Sequence, residues 1–318
     1  MQPQDAVVPR FLAPGDPVVV VAPSGVVDRA RLAKGLAWLK GQGYAPTTAP
    51  HALARHGYLA GVDELRAADL NGVIASDPSP AILFARGGYG LTRILDRLDL
   101  GGLRRRPRLL LGYSDATALF MALQRRGPYA TLYGPTVSEM GDVEAFDARS
   151  LMAALRGDPA AFTIRFARRD VLRPGRGTAR VIGGCLSLLV SLLGTRHDPD
   201  YDGTILFWEE VAEPPYRIDR MLTQLRNAGK FDRLKGMIVG SLTGCAPAVG
   251  RPSLSIDEVI QELAASASFP VVRNIRAGHA ARKLTFPLGF PASLNTRLGR
   301  ITFHPPAWKR LYPARARG

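Results

Sequence analysis

Between residues 17 and 137 the chain alternates five short extended stretches with four segments of helical periodicity, and this alternation limits the possible folds more than any other feature. The run 17-PVVVVAPSG-25 is a strand that breaks at Pro23-Ser24-Gly25. Asp28 reads as an N-cap for a helix over 29–43, and a short extended piece follows at 45–50. A helix over 62–77, with Leu65, Leu70, Val73 and Ile74 on its apolar side, leads to the strand 80-PAILFARGG-88. Then come a helix over 90–99, a strand over 107–114, a helix over 115–127 and a strand over 130–137. Strands separated by single helices predict an α/β fold with a parallel, doubly wound sheet. Such sheets bind ligands at the carboxyl ends of their strands. Three of those ends carry unusual sequence, APSG, ARGGYG and GYSDA, and are expected to lie together.

The remainder is less regular. Residues 141–178, with the basic stretch 168-RRDVLRPGRG-177, read as a linker. Beyond it we expect a helix over 184–194, a strand over 203–210, a helix over 216–229 and a strand over 235–244. A helix over 256–267, a strand near 270–272, a loop over 276–289 and closing strands near 292–294 and 300–303 follow. The predicted division is residues 1–150, a linker over 151–178, and a second domain over 179–318.

With 46% hydrophobic residues the chain can build a large core, but no apolar run reaches the ~18 residues of a membrane span. The N-terminal residues lack the basic and apolar regions of a signal peptide, and Cys185 and Cys245 form no CxxC pair. We therefore expect a cytoplasmic protein with reduced thiols, no membrane partner and no metal. The formal charge is +15, with basic clusters at 104–108 and 309–318. Neither cluster is interleaved with aromatics as a base-stacking surface would be, so an anionic small substrate is expected rather than nucleic acid.

The segment 108-RLLLGYSDATALFMALQRRG-127 places Ser114 where a strand becomes a helix. Ser114 could be a helix N-cap, worth about 1 kcal/mol. It could equally be the nucleophile of an elbow, with Gly112 and Ala116 as the small residues two positions on either side. The Asp115 N–H would then face a developing oxyanion, and the loop 86-RGGYG-90 could supply a second donor. Its glycines fit neither the dinucleotide nor the P-loop pattern. A nucleophilic serine needs a base, and the base needs an acceptor to orient it. Of the five histidines, His51 and His56 read as surface residues, His197 lies in a polar turn and His304 precedes two prolines. His279, in the loop 278-GHAARKLTFPLG-289, could face the first domain's strand ends or be an ordinary loop histidine. Glu209 and Glu210 end an apolar strand, and alternation alone does not say which points inward.

Taken together, GGYG after a strand, GYSDATAL at the elbow, LFWEEVAEPPYRIDRMLTQL and GHAARKLTFPLG resemble the LD-carboxypeptidases. These are the muramoyltetrapeptide carboxypeptidases, a serine-peptidase family that also includes the microcin C immunity proteins. The resemblance runs from about residue 16 to 305 and includes 60-AGVDELRAADLN-71. It implies Ser114 as nucleophile, Glu209 as the orienting acid, His279 as the base, and the Gly88 and Asp115 N–H groups as the oxyanion hole. It further implies a Rossmann-like parallel-sheet N-terminal domain with a smaller β-rich α+β C-terminal domain, and a homodimer with no metal and no cofactor. Arg86 and its neighbour Tyr89 are candidates for substrate contact by position. One departure stands out: where the family pattern leads us to expect GGNL, this chain has Gly183-Gly184-Cys185-Leu186. If that position lines the site, a thiol there would alter substrate preference.

The expected activity is therefore release of the terminal D-alanine from murein tetrapeptides by cleavage of an L,D amide bond. A hydrolase of the immunity type, cutting aminoacyl or peptidyl nucleotide analogues, is the alternative. A non-catalytic muropeptide-binding module is a third possibility, and the intact motifs argue against it.

Overall fold

The computed structural model describes residues 6–250 and 252–304; the basic stretch 309–318 lies outside them. The first half contains β1 (Pro17–Val21), α1 (Arg29–Gly41), β2 (Ala45–Thr48), α2 (Asp63–Ser76), β3 (Ala81–Phe84), α3 (Leu91–Ile94), α4 (Leu100–Arg105), β4 (Leu109–Gly112), α5 (Ala116–Arg125), β5 (Thr131–Tyr133) and α6 (Ala148–Arg156). The second half contains β6 (Thr163–Arg165), β7 (Val171–Arg173), β8 (Arg176–Cys185), α7 (Leu186–Ser191), β9 (Thr204–Val211), α8 (Pro215–Asn227), β10 (Gly236–Thr243), α9 (Ile256–Ser266), β11 (Val271–Val272), β12 (Phe286–Leu288), β13 (Pro291–Asn295) and β14 (Arg300–Phe303).

Two sheets result. The first has the order β12-β5-β4-β3-β1-β2, and its pairs are parallel except for β12, which runs antiparallel along β5. Its strands are apolar without alternation because helices cover both faces; β3 and β4 are buried at every position. Helix α5 is buried from Ala116 to Gln124, which explains its unbroken apolar sequence. Asp28 caps α1 as expected, its carboxylate accepting the Arg31 N–H at 2.8 Å.

The second sheet has the order β6-β14-β13-β8-β9-β10-β11-β7, with a parallel centre of β8, β9, β10 and β11 and antiparallel strands outside it. Several details differ from the sequence reading. Residues 151–178, read as a linker, hold the end of α6, the strands β6 and β7, and the first residues of β8. The apolar run 181–194, read mainly as a helix, is strand as far as Cys185 and helix only from Leu186. A short apolar run does not declare its period, and pairing of Val181–Cys185 with Ile205–Glu209 decides it. The helix expected over 90–99 shortens to α3 and a 3-10 turn. The loop 276–289 contains β12, which returns from the second half to the edge of the first sheet.

Candidate active site

The three unusual strand ends converge. The Gly25 N–H donates to Gly87 O at 3.1 Å, and a Cβ at Gly87 would lie 2.9 Å from Ser114 Cβ. Gly87, Gly88, Ser114 and His279 line a cavity of about 280 Å3, whose wall also includes Arg31, Arg86, Tyr113 and Glu139.

Ser114 follows β4 with a backbone φ of +61°. For a side chain other than glycine this conformation costs about 1–2 kcal/mol, and it turns the chain sharply from strand to helix. Gly112 is small for a reason other than the expected approach of helix and strand. A Cβ there would come within 2.7 Å of Phe84 Cδ2 on the neighbouring β3. Asp115 is fully buried and its Oδ2 accepts the Leu91 N–H at 2.8 Å, tying the glycine loop's exit to the elbow. Burial pushes its carboxyl pKa up. Neither the Gly88 nor the Asp115 N–H has an acceptor among the described residues.

Glu209, near the end of β9, is fully buried. Its Oε2 accepts the His279 Nδ1–H at 2.8 Å and the His279 backbone N–H at 3.0 Å, and its Oε1 accepts the Tyr133 hydroxyl at 2.7 Å. With Nδ1 committed to the carboxylate, Nε2 is the ring nitrogen left to exchange protons. Gly278 lets the loop come this close: its φ is +100°, and a Cβ would sit 2.3 Å from Glu209 Cγ. Ser114 Oγ has no hydrogen-bond partner among the described residues; nucleophile and base often close up only around substrate. The remaining histidines lie outside the cavity wall, with His51, His197 and His304 bonded to Asp69, Asp96 and Ser293.

Glu210 turns to the other face, where it accepts the N–H groups of Ser187 at 2.7 Å and Val211 at 2.9 Å. Burial raises its pKa. Cys185 is buried outside the cavity wall, its Sγ 3.5 Å from Glu210 Oε1 and its N–H donating to Thr117 Oγ1 at 3.0 Å. Burial and the neighbouring carboxylates push its thiol pKa well up. Arg86 is in the cavity wall, one guanidinium nitrogen held by Val26 O at 2.7 Å. Tyr89 is not in the wall; it is 46% exposed, its ring 6.0 Å from that of Tyr58.

Sequence reasoning missed four residues beside the cavity. The Tyr113 ring lies 4.7 Å from that of His279, and its hydroxyl donates to Glu139 Oε1 at 2.8 Å. The Lys283 ammonium donates to the same oxygen at 2.6 Å and sits over the Tyr113 ring at 4.9 Å. The fourth, Tyr133, ends β5, a strand end that the carboxyl-end rule already pointed to. Among the described residues no cluster of His, Cys, Asp and Glu could hold a metal, and no helix is long and apolar enough to cross a membrane.

Residues 18–134 match the model of the LD-carboxypeptidase N-terminal domain, and residues 178–294 that of the LD-carboxypeptidase C-terminal domain. A Bacillus subtilis protein named "Probable murein peptide carboxypeptidase" is 34% identical over 91% of this chain and 91% of its own length. The Escherichia coli microcin C7 self-immunity protein MccF is 25% identical over 86% of this chain and 88% of its own. The crystal structure of muramoyltetrapeptide carboxypeptidase from Oxalobacter formigenes superposes with a TM-score of 0.80 at 27% identity, covering 90% of this chain and 97% of that one. By its two matched domains and by relatives aligned over nearly its whole length, this chain belongs to the LD-carboxypeptidase family.

Proposed function

We propose that this chain is a serine carboxypeptidase that hydrolyses an L,D amide bond and releases the terminal D-alanine of murein tetrapeptides, a step of peptidoglycan recycling. The observation that carries the reading is a strained serine and a carboxylate-bound imidazole on one cavity in a member of this family. Residues 1–150 supply the nucleophile, and residues 179–318 supply the acid and base.

Ser114 Oγ attacks the carbonyl carbon of the L-configured residue while His279 Nε2 takes its proton. The Gly88 and Asp115 N–H groups bind the resulting oxyanion, each worth about 3 kcal/mol to the transition state. The C–N bond breaks as His279 returns the proton to the leaving D-alanine amine. Water, activated by the same imidazole, then cleaves the acyl-enzyme and regenerates the serine. Glu209 keeps the imidazole oriented and stabilises its charged form. Arg86 and Arg31, both in the cavity wall, suit the substrate's carboxylates. Two unpaired, buried cysteines support a cytoplasmic setting, and the family resemblance supports a homodimer.

The relationship to MccF supports a second reading, hydrolysis of an aminoacyl nucleotide analogue by the same residues. Mass spectrometry of the purified protein with a tetrapeptide ending in D-alanine, its all-L counterpart and an aminoacyl-sulfamoyl adenosine separates the two. We expect D-alanine from the first alone, and none from Ser114→Ala. Turnover of only the adenosine compound would transfer the chain to the second reading, and full activity in Ser114→Ala would sink both.

A further inference from the structure

The nucleophile and the acid–base pair stand on different sheets, Ser114 after β4 of the first and Glu209 on β9 of the second. Their relative placement is therefore a property of whatever joins the sheets at that point. One fully buried side chain does so directly. The Tyr133 hydroxyl accepts the backbone N–H of Ser114 at 3.1 Å and donates to Glu209 Oε1 at 2.7 Å. Glu209 Oε2 in turn holds His279 through two hydrogen bonds. A continuous path thus runs from the nucleophile's own peptide N–H, through one phenol, to the carboxylate that orients the base.

We propose that Tyr133 is a positioning residue that fixes the nucleophile against the acid–base pair and tempers the charge that Glu209 presents to His279. The inference rests on the serine chemistry proposed above. Three features support it. The N–H that Tyr133 accepts belongs to a residue held at φ +61°, where a lost partner would free the turn to relax. The hydroxyl serves as donor and acceptor at once, so neither bond forms without placing the other. The ring is locked by Phe207 at 5.4 Å and Tyr113 at 6.0 Å, and the Gly112–Tyr133 register sets it beside the elbow. Burial, reinforced by the Glu209 charge, holds the phenol pKa well above its ordinary value, so Tyr133 stays a donor across the working pH range.

The other titratable and charged groups facing this path are Tyr113 after β4, Cys185 and Glu210 from the second sheet, Asp28, Arg31, Arg86 and Glu139 in the cavity wall, and Lys283 paired with Glu139 behind it. None of these is altered in the test. Tyr133→Phe keeps the ring and removes only the hydroxyl. We expect kcat on the tetrapeptide to fall about 10- to 100-fold with little change in KM, as for a misplaced reacting group. The labelling rate of Ser114 by a fluorophosphonate should fall in parallel. A carboxylate that has lost a donor holds more charge for the imidazolium, so the acid limb of kcat/KM should move to higher pH. In a Glu209→Ala background the hydroxyl's removal should cost much less, because the path has no carboxylate left to reach.

Equal labelling and an unmoved acid limb in folded Tyr133→Phe, or an equal cost in both backgrounds, would overturn the inference. Should Tyr133→Phe not fold, 3-fluorotyrosine at position 133 preserves the shape and strengthens the donor. It should move the acid limb to lower pH, and no movement overturns the inference. If fluorophosphonate fails to label even the unsubstituted chain, the proposed serine chemistry falls, and this inference with it.

Discussion

Ser114 holds its φ of +61° without a hydrogen bond to its own hydroxyl among the described residues, so its side chain costs the fold energy and returns none. Glycine adopts this conformation freely, at the expense of a more flexible unfolded chain. Ser114→Gly should therefore abolish turnover and yet raise stability by about 0.5–1 kcal/mol, visible as a small rise in Tm by differential scanning fluorimetry. A lower Tm than that of the unsubstituted chain would mean that the turn is not strained. At this scale the sequence was informative about chemistry and mute about geometry. It placed a serine between small residues, but Gly112 proved to answer to Phe84 on the next strand. The choice between Glu209 and Glu210 was illegible because both faces of β9 are covered, and alternation marks only strands with one wet face.

Between elements, the loop that carries His279 is tied to the turn after β5 by a buried ion pair. Glu139 Oε1 accepts both Lys283 and Tyr113 and so joins the loop to the elbow, while its Oε2 accepts the N–H and hydroxyl of Thr136 and fixes the carboxylate in its own turn. The Lys283 side chain is only 4% exposed. Glu139→Gln leaves that ammonium without a counter-charge, and we expect a loss of about 2–3 kcal/mol at pH 7, reduced from the fully buried case because Glu139 is partly exposed. Burial alone would raise the Glu139 pKa, but the Lys283 charge and the hydrogen bonds from Lys283, Thr136 and Tyr113 outweigh it and hold the carboxyl below its ordinary 4.5. The unfolded chain then binds the proton more readily, so this contribution is complete above pH 4.5 and fades as pH falls through the lower folded value. Denaturant titrations at pH 7 and below pH 4 should accordingly show the stability gap between Glu139→Gln and the unsubstituted chain narrowing on acidification; a constant gap would refute the assignment. Neither this tie nor β12 was visible in the sequence. Both depend on a segment pairing with residues more than 140 positions away, and local periodicity has no access to such partners. Five of the first sheet's six strands, β1 to β5, and the helices α1, α2 and α5 were legible because each carries its own period and its own stop signal.

Across the whole molecule, the His279 segment belongs to both sheets at once. The Ser241 N–H of β10 donates to Ala277 O at 3.0 Å and the Ile275 N–H donates to Val239 O of β10 at 3.2 Å, while β12 joins the segment to β5. The proposed site is thus closed by the same chain segment that docks the sheets, and it lies in the field of the entire protein. That field is positive: 42 Lys and Arg face 27 Asp and Glu, so pairing every acid still leaves an excess of +15. Surface pairs such as Arg97–Glu64 and Arg105–Asp99 cancel locally and change nothing in this sum. A murein tetrapeptide with several carboxylates should be drawn toward such a surface, and Arg31 and Arg86 in the cavity wall extend the attraction inward. Raising NaCl from about 0.1 M to about 1 M shortens the screening length from ~10 Å to ~3 Å. Steady-state kinetics over that range should show kcat/KM for the tetrapeptide falling severalfold, almost entirely through KM, because the chemical step inside the cavity is shielded from salt. An uncharged ester hydrolysed by Ser114 serves as the internal comparison and should lose nothing. If both substrates respond alike, salt acts on the fold, and the basic excess has no part in gathering substrate.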